Sequence, residues 1–224
     1  MAGPDSSSAS AAAYAKTVYH RALGPQEHLY SGSEYVDFNL PQKGHQFYRT
    51  RDWEEANIFF DGILYENIPM VYDILRDQVV LSHPSEDNIF VKIKLNNDRI
   101  GYFTFMGDTF RQLSGQTASG TALAPGLYHR LYDGKVGVWA KRLKTRQDLI
   151  ESQTLITVFT QKDRYFLHHD GQYHPVKSKG SVLRVFKEHK KELNRHLRKS
   201  GIRFRENREE AIIFLAKQYD ALRK

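Results

Sequence analysis

Three Asp-Gly pairs, each set among aromatic or β-branched residues, constrain this chain more than any other feature. They read Phe59-Phe60-Asp61-Gly62-Ile63-Leu64-Tyr65, Leu131-Tyr132-Asp133-Gly134-Lys135-Val136 and Phe166-Leu167-His168-His169-Asp170-Gly171-Gln172-Tyr173. Asp-Gly accepts positive φ at both central positions of a type I′ turn, whose twist matches the strands it joins. The three signals therefore predict an antiparallel β body assembled from hairpins. They say nothing of chemistry.

Strand-like runs surround them: Glu34–Phe38, His45–Tyr48, Asn57–Phe60, Ile63–Glu66, Gln78–Leu81, Ile89–Leu95 and Ile100–Met106, then, after a flexible stretch over Ser114–Gly126, Leu127–Tyr132, Lys135–Lys141, Leu155–Phe159, Arg164–His168 and Gln172–Val176. Asn96-Asn97-Asp98 marks a further turn. Short strands at turn-punctuated spacing point to a twisted meander, not to alternating βαβ units. The 13 Phe and 13 Tyr residues suit pleated, half-buried surfaces.

Near Lys177 the period changes to that of helices. Read as one helix, Ser181–Lys199 places Val182, Phe186, Leu193 and Leu197 on one stripe, with Gly201 as its C′ residue. Asn207-Arg208-Glu209-Glu210 resembles a capping box opening a second helix. There Ala211, Ile212, Leu215, Ala216, Tyr219 and Leu222 share a face.

The expected fold is thus α+β and mainly antiparallel β: a curved meander sheet or partial barrel with C-terminal helices packed on it. Residues 1–10 read as a flexible leader. Residues 11–176 read as the β body with a short N-terminal helix over Ala11–Ala22, and residues 177–224 as a basic helical segment packed on it, the whole forming one domain. No run of about 18 apolar residues is present, so no transmembrane helix is expected. The start shows neither a basic n-region nor an apolar h-region. The chain is then either cytoplasmic or the mature form of an exported protein.

The net charge of +7 is unevenly spread. Residues 177–224 hold 15 Lys and Arg against 6 Asp and Glu, a balance of +9, while the preceding 176 hold 18 against 20, a balance of −2. On a single helix Arg184, Lys187, Lys191, Arg195 and Arg198 would form one cationic face, a candidate docking surface for phosphate, lipid headgroups or an acidic partner. Glu188 and Glu192 can pair with Lys191, Arg195 and His196 and leave a solvated face instead. No nucleic-acid module or aromatic-interleaved basic strand accompanies these cations, which disfavours nucleic acid as the partner.

Other chemistry is weakly signalled. Cysteine is absent, which removes disulfides, thiol nucleophiles and Cys-ligated zinc. In the Asp170-Gly171 hairpin His169 and His174 fall diagonally on one face and His168 on the other; two ligands at a polar tip do not make a tight metal site. Asp73, Arg76 and Asp77 read as a turn with a local ion pair, not as a catalytic carboxylate pair. There is no G-x-S-x-G, and Gly115–Gly126 lacks the phosphate-loop pattern. No cofactor is implied.

From Leu29 to about Asp220 the chain resembles an uncharacterised family of proteins from Bacteroidetes-type bacteria. The resemblance is carried by Trp53, the run from Asp61 to Pro69, Tyr72-Asp73 and Asp77, and by Leu131-Tyr132-Asp133-Gly134, Tyr165-Phe166 and Tyr173 through Ser181. Lys190-Lys191-Glu192-Leu193 and Phe204-Arg205 through Ala211 complete it. It implies an exported, periplasmic or secreted chain and implies no activity.

Two readings of function follow, with a third behind them. The first is a non-enzymatic binding or envelope-associated protein that holds an apolar or amphipathic ligand on the concave, aromatic face of a curved sheet. The second is a basic helix that binds nucleic acid or an anionic surface. The third, a hydrolase, requires His and carboxylates from distant segments to converge.

Overall fold

A computed structural model describes residues 28–38, 41–84, 90–120 and 122–223, and in it the chain is mainly antiparallel β. Among the described residues it forms fourteen strands: β1 (Ser33–Glu34), β2 (Gln42–Lys43), β3 (Glu54–Phe60), β4 (Ile63–Asp73), β5 (Gln78–Pro84), β6 (Phe90–Lys94), β7 (Ile100–Phe105), β8 (Asp108–Gln116), β9 (Ala122–Asp133), β10 (Gly137–Lys141), β11 (Lys144–Glu151), β12 (Thr154–Gln161), β13 (Arg164–His169) and β14 (Gln172–Val176). Three α-helices follow: α1 (Lys179–Val185), α2 (Lys190–Lys199) and α3 (Arg208–Leu222). The expected leader and the helix over Ala11–Ala22 lie outside the described residues.

Eleven strands make one curved sheet in the order β1-β6-β5-β4-β3-β7-β8-β9-β10-β13-β14. The sheet does not close on itself. Near its far end it curls until Thr117, just past β8, bridges Tyr173 on β14, and the Ala118 amide donates to the Tyr173 carbonyl at 2.9 Å. Strands β11 and β12 form a separate hairpin, to which β2 adds two residues in parallel.

The first and third Asp-Gly pairs form the expected two-residue turns. Asp61 and Gly62 take φ of 52° and 83°, Asp170 and Gly171 take 49° and 74°, and the flanking pairs Phe60–Ile63 and His169–Gln172 fall in register. The second pair does not. Asp133 faces Gly137 across a three-residue loop, and β10 starts at Gly137 instead of Lys135. Here α3 sets the loop: Asp220 accepts from the Val136 amide at 3.2 Å and from the Tyr132 hydroxyl at 3.0 Å.

Two more hairpins turn on Met106-Gly107 and Ser152-Gln153, all four residues at positive φ. The stretch expected to be flexible over Ser114–Gly126 is largely strand, shared by β8 and β9. His45–Tyr48 lies beside the end of β4 through a single bridge, Phe47–Asp73, and is not a strand.

The larger core lies between the faces of β3, β4, β5, β7, β8 and β9, where Tyr72, Phe103 and Phe110 are fully buried. Phe103 and Phe110 stack at 4.8 Å, and Tyr72 meets Phe110 edge-on at 5.1 Å. Burying each such ring stabilises the fold by about 2–3 kcal/mol. A second core joins one face of β10, β13 and β14 to the helices: Val138, Leu167 and Val176 pack with Val182, Phe186, Leu193, Leu215 and Tyr219.

The segment expected to form one helix is broken. Helix α1 ends at Phe186, whose ψ of 42° leaves the helical region, and a 3₁₀ turn over Lys187–His189 intervenes before α2. The break lets α1 pack on β14 while α2 packs on α3. The stripe residues Val182, Phe186, Leu193 and Leu197 are all buried, and Phe186 stacks on Tyr219 at 4.3 Å. Asn207 does precede α3, but its side chain makes no capping bond. The reciprocal capping box belongs to Ser178 and Ser181 at the start of α1.

Candidate functional site

Strand alternation gives β10, β13 and β14 two unlike faces. One is sealed by the helices. The other carries Trp139 and Lys141 on β10, Arg164 and Phe166 on β13, and Tyr173 on β14, with Tyr128 from β9 beside them. Tyr128 meets Phe166 edge-on at 5.7 Å and packs with Leu123 and Trp139. The curl of the sheet makes this second face concave. A cleft of about 1000 Å³ opens over it.

The cleft has an apolar floor and a cationic rim. Leu123, Tyr128 and Phe166 line the floor, and Lys141, Lys144, Lys162, Arg164, Lys177 and Arg208 surround it. Among the described lining residues Asp163 is the sole carboxylate, and its Oδ2 already accepts from Arg142 at 2.7 Å.

The six cations are not equivalent. Lys141 is nearly buried; its ammonium reaches Asp77 at 2.5 Å and the Leu127 carbonyl at 3.1 Å, and lies 4.8 Å above the Tyr128 ring. Burial pushes its pKa down, and the Asp77 carboxylate only partly offsets this. Lys144 donates to the carbonyls of His45 and Phe47, both at 2.7 Å. Lys141 braces the floor, and Lys144 ties down the segment from His45 to Phe47. Lys162, Arg164, Lys177 and Arg208 are exposed, and among the described residues none has a carboxylate within 4.0 Å. They are the cations a ligand can engage.

Beside the cleft, Arg142 commits all its donors. Nε and one terminal nitrogen donate to His129 Nδ1, at 3.1 and 2.8 Å, and the guanidinium also reaches Asp163 at 2.7 Å and Glu209 at 2.6 and 3.1 Å. Burial opposes its charge, but Glu209 and Asp163 outweigh it and hold the group cationic. His129 accepts through Nδ1, so its proton sits on Nε2 and points to Asp108 Oδ1 at 3.2 Å. Asp108 in turn accepts from the Tyr48 hydroxyl at 2.7 Å. Burial first, then the Arg142 charge, pushes the His129 pKa down to about 4.

Although this network brings a His and three carboxylates together from distant segments, neither imidazole nitrogen is open to take a substrate proton. It is a clamp between the β body and α3. Glu209, in the first turn of α3, is the helix's side of that clamp.

The carboxylates of the β4–β5 turn have separate duties. Asp73 is fully buried and accepts from the Tyr35 hydroxyl at 2.7 Å and from the Leu75 and Arg76 amides at 2.9 Å, with the Arg76 guanidinium 3.9 Å away. Burial raises its pKa against those hydrogen bonds. Asp77 accepts from the Tyr72 hydroxyl at 2.5 Å and from Lys141.

The histidine hairpin has the expected register, with Leu167 opposite His174. His169, however, is not at a polar tip. It is buried beneath Tyr219, 3.2 Å from the Tyr219 hydroxyl. No group of three potential metal ligands occurs among the described residues.

The five cations expected on one helical face lie on three successive elements: Arg184 on α1, Lys187 on the 3₁₀ turn, and Lys191, Arg195 and Arg198 on α2. All five are exposed. Arg184 and Lys187 line a small pocket with His169, His174 and Arg223, together with Asp170 and Glu188. Arg195 lies 3.6 Å from Glu192.

Sequence reasoning misses the cleft cations because Arg164, Lys177 and Arg208 are far apart in the chain and share no motif. The one local signal, Arg164 and Phe166 alternating on a strand that ends in Asp-Gly, points to a hairpin and no further. Neither a known protein family, nor a curated protein, nor a solved structure matches the chain.

Proposed function

We propose that the protein binds an amphipathic anion, an apolar chain or ring bearing a carboxylate or phosphate, in the cleft of the curled sheet. The apolar part lies over Leu123, Tyr128 and Phe166. The head is held at the rim by Lys162, Arg164, Lys177 and Arg208. The observation that carries this reading is the convergence of four cations, with no carboxylate partner among the described residues, on an apolar floor that already has a packed, hydrogen-bonded base. A few convergent polar groups over an apolar pocket are what a small-molecule site requires. The reading is one of binding and not of turnover.

Isothermal calorimetry with dodecyl phosphate, dodecyltrimethylammonium and butyl phosphate tests it. Dodecyl phosphate should bind; the cationic analogue and the short-chain phosphate should bind at least about tenfold more weakly, since either the head or the apolar contact is lost. Arg164→Glu and Lys177→Glu should each weaken dodecyl phosphate by about tenfold. Equal affinity for the cationic analogue, or indifference to both substitutions, refutes the reading.

A further inference from the structure

Strand β11 is an edge with a defined hydrogen-bonding parity. Its odd residues, Thr145 to Glu151, face β12, as the two-residue turn after the Glu151–Thr154 pair requires. Its even residues therefore turn their amides and carbonyls away from β12. Lys144 confirms the parity, because its amide donates outward to the Ile74 carbonyl at 3.2 Å. Beyond Lys144 no described strand pairs with this edge. Every residue from Thr145 to Glu151 is exposed. Long open edges are templates for another strand, and proteins normally blunt them. This one carries no proline and ends in an apolar tip, with Ile150 79% exposed and Leu149 and Leu155 each 43%.

We propose that the occupant of this edge is β11 of a second copy, paired antiparallel and centred on Gln147. Two conditions select that register. Outward-facing residues must meet outward-facing residues, so even positions pair with even positions. Among such registers, centring on Arg146 sets Arg against Arg, and centring on Asp148 sets Asp against Asp. Centring on Gln147 sets Arg146 opposite Asp148 of the second copy, twice by symmetry. Within one chain these two side chains already lie 3.1 Å apart on one face of the strand, so the pairing builds an alternating ring of four charges. Opposite charges directly across an antiparallel pair are favourable and like charges are not. The shared interface is isologous, as a two-fold dimer demands. A single shared ladder is small, so the dimer forms at high protein concentration and dissociates on dilution.

Sedimentation velocity over a concentration series tests the pairing, with circular dichroism to confirm the fold of each variant. The wild-type chain should pass from monomer to dimer as concentration rises. Arg146→Asp and Asp148→Arg should each weaken the dimer by about tenfold or more, and the double swap Arg146→Asp/Asp148→Arg should restore it. Asp148→Pro, which removes one outward amide and leaves the β11–β12 ladder intact, should also abolish it. A wild-type chain that stays monomeric, a dimer that survives both single swaps, or a double swap that fails to restore pairing overturns the proposal.

Discussion

His129 shows how one residue's environment decides between chemistry and architecture. An imidazole beside an aspartate invites a catalytic reading, yet its second nitrogen is occupied by Arg142. Arg142 matters more as a partner than as a charge. Removing it leaves Asp163 and Glu209 without their cation, a change that costs about 3–5 kcal/mol in buried networks. The arrangement has a consequence for pH. His129 stays neutral in the folded state down to about pH 4, whereas an unfolded histidine takes up a proton near 6.5. Between those values the unfolded chain binds more protons, so this contribution is complete above about pH 6.5 and is lost as pH falls toward 4. His45 and His169, whose pKa values burial also lowers, act in the same sense, and Asp73, raised by burial, acts in the opposite one. Urea unfolding of wild type and His129→Gln at about pH 7 and pH 4.5 separates the histidines. The stability lost by the wild type on acidification should exceed that lost by the variant by about 2–3 kcal/mol. Equal losses would show that His129 is not held neutral.

At the scale of elements, the turns carry most of what the letters can and cannot say. Asp61-Gly62 and Asp170-Gly171 are legible because the residue types that tolerate positive φ sit where two-residue turns need them. Met106-Gly107 and Ser152-Gln153 make turns of the same kind with residues that announce it poorly. Strand β11 is illegible for a physical reason: both its faces are exposed, so it has no apolar alternation, and only its ladder to β12 marks it as a strand. The helical stripe is legible as a buried face but not as a broken one, because a 3₁₀ turn barely disturbs the phase of four apolar residues. Glycines separate turn from packing in a testable way. Gly62 at the hairpin tip has open space where a Cβ would stand, while a Cβ at Gly126, where φ is 153°, would strike the Asp77 carboxylate and the Lys141 ammonium. In thermal unfolding, Gly62→Ala should cost about 1 kcal/mol, the strain of positive φ alone. Gly126→Ala should cost clearly more, because the Lys141–Asp77 pair must separate as well. Equal costs would mean that the pair does not depend on that approach.

For the whole molecule, a sheet curled on itself and sealed on its outer face by helices leaves one concave surface open. The fold class is within reach of the sequence because period and turn chemistry are local properties. The cleft is not, because its cations and rings come from β9, β10, β13, the links before β13 and before α1, and the start of α3, and meet only through the curl. The most direct test uses intermolecular nuclear Overhauser contacts from the dodecyl chain of bound dodecyl phosphate. Contacts to the rings of Tyr128 and Phe166, with the largest backbone shifts at Arg164, Lys177 and Arg208, are the predicted result. Contacts confined to the helices or to the β11–β12 tip, with the cleft signals unmoved, would contradict the account.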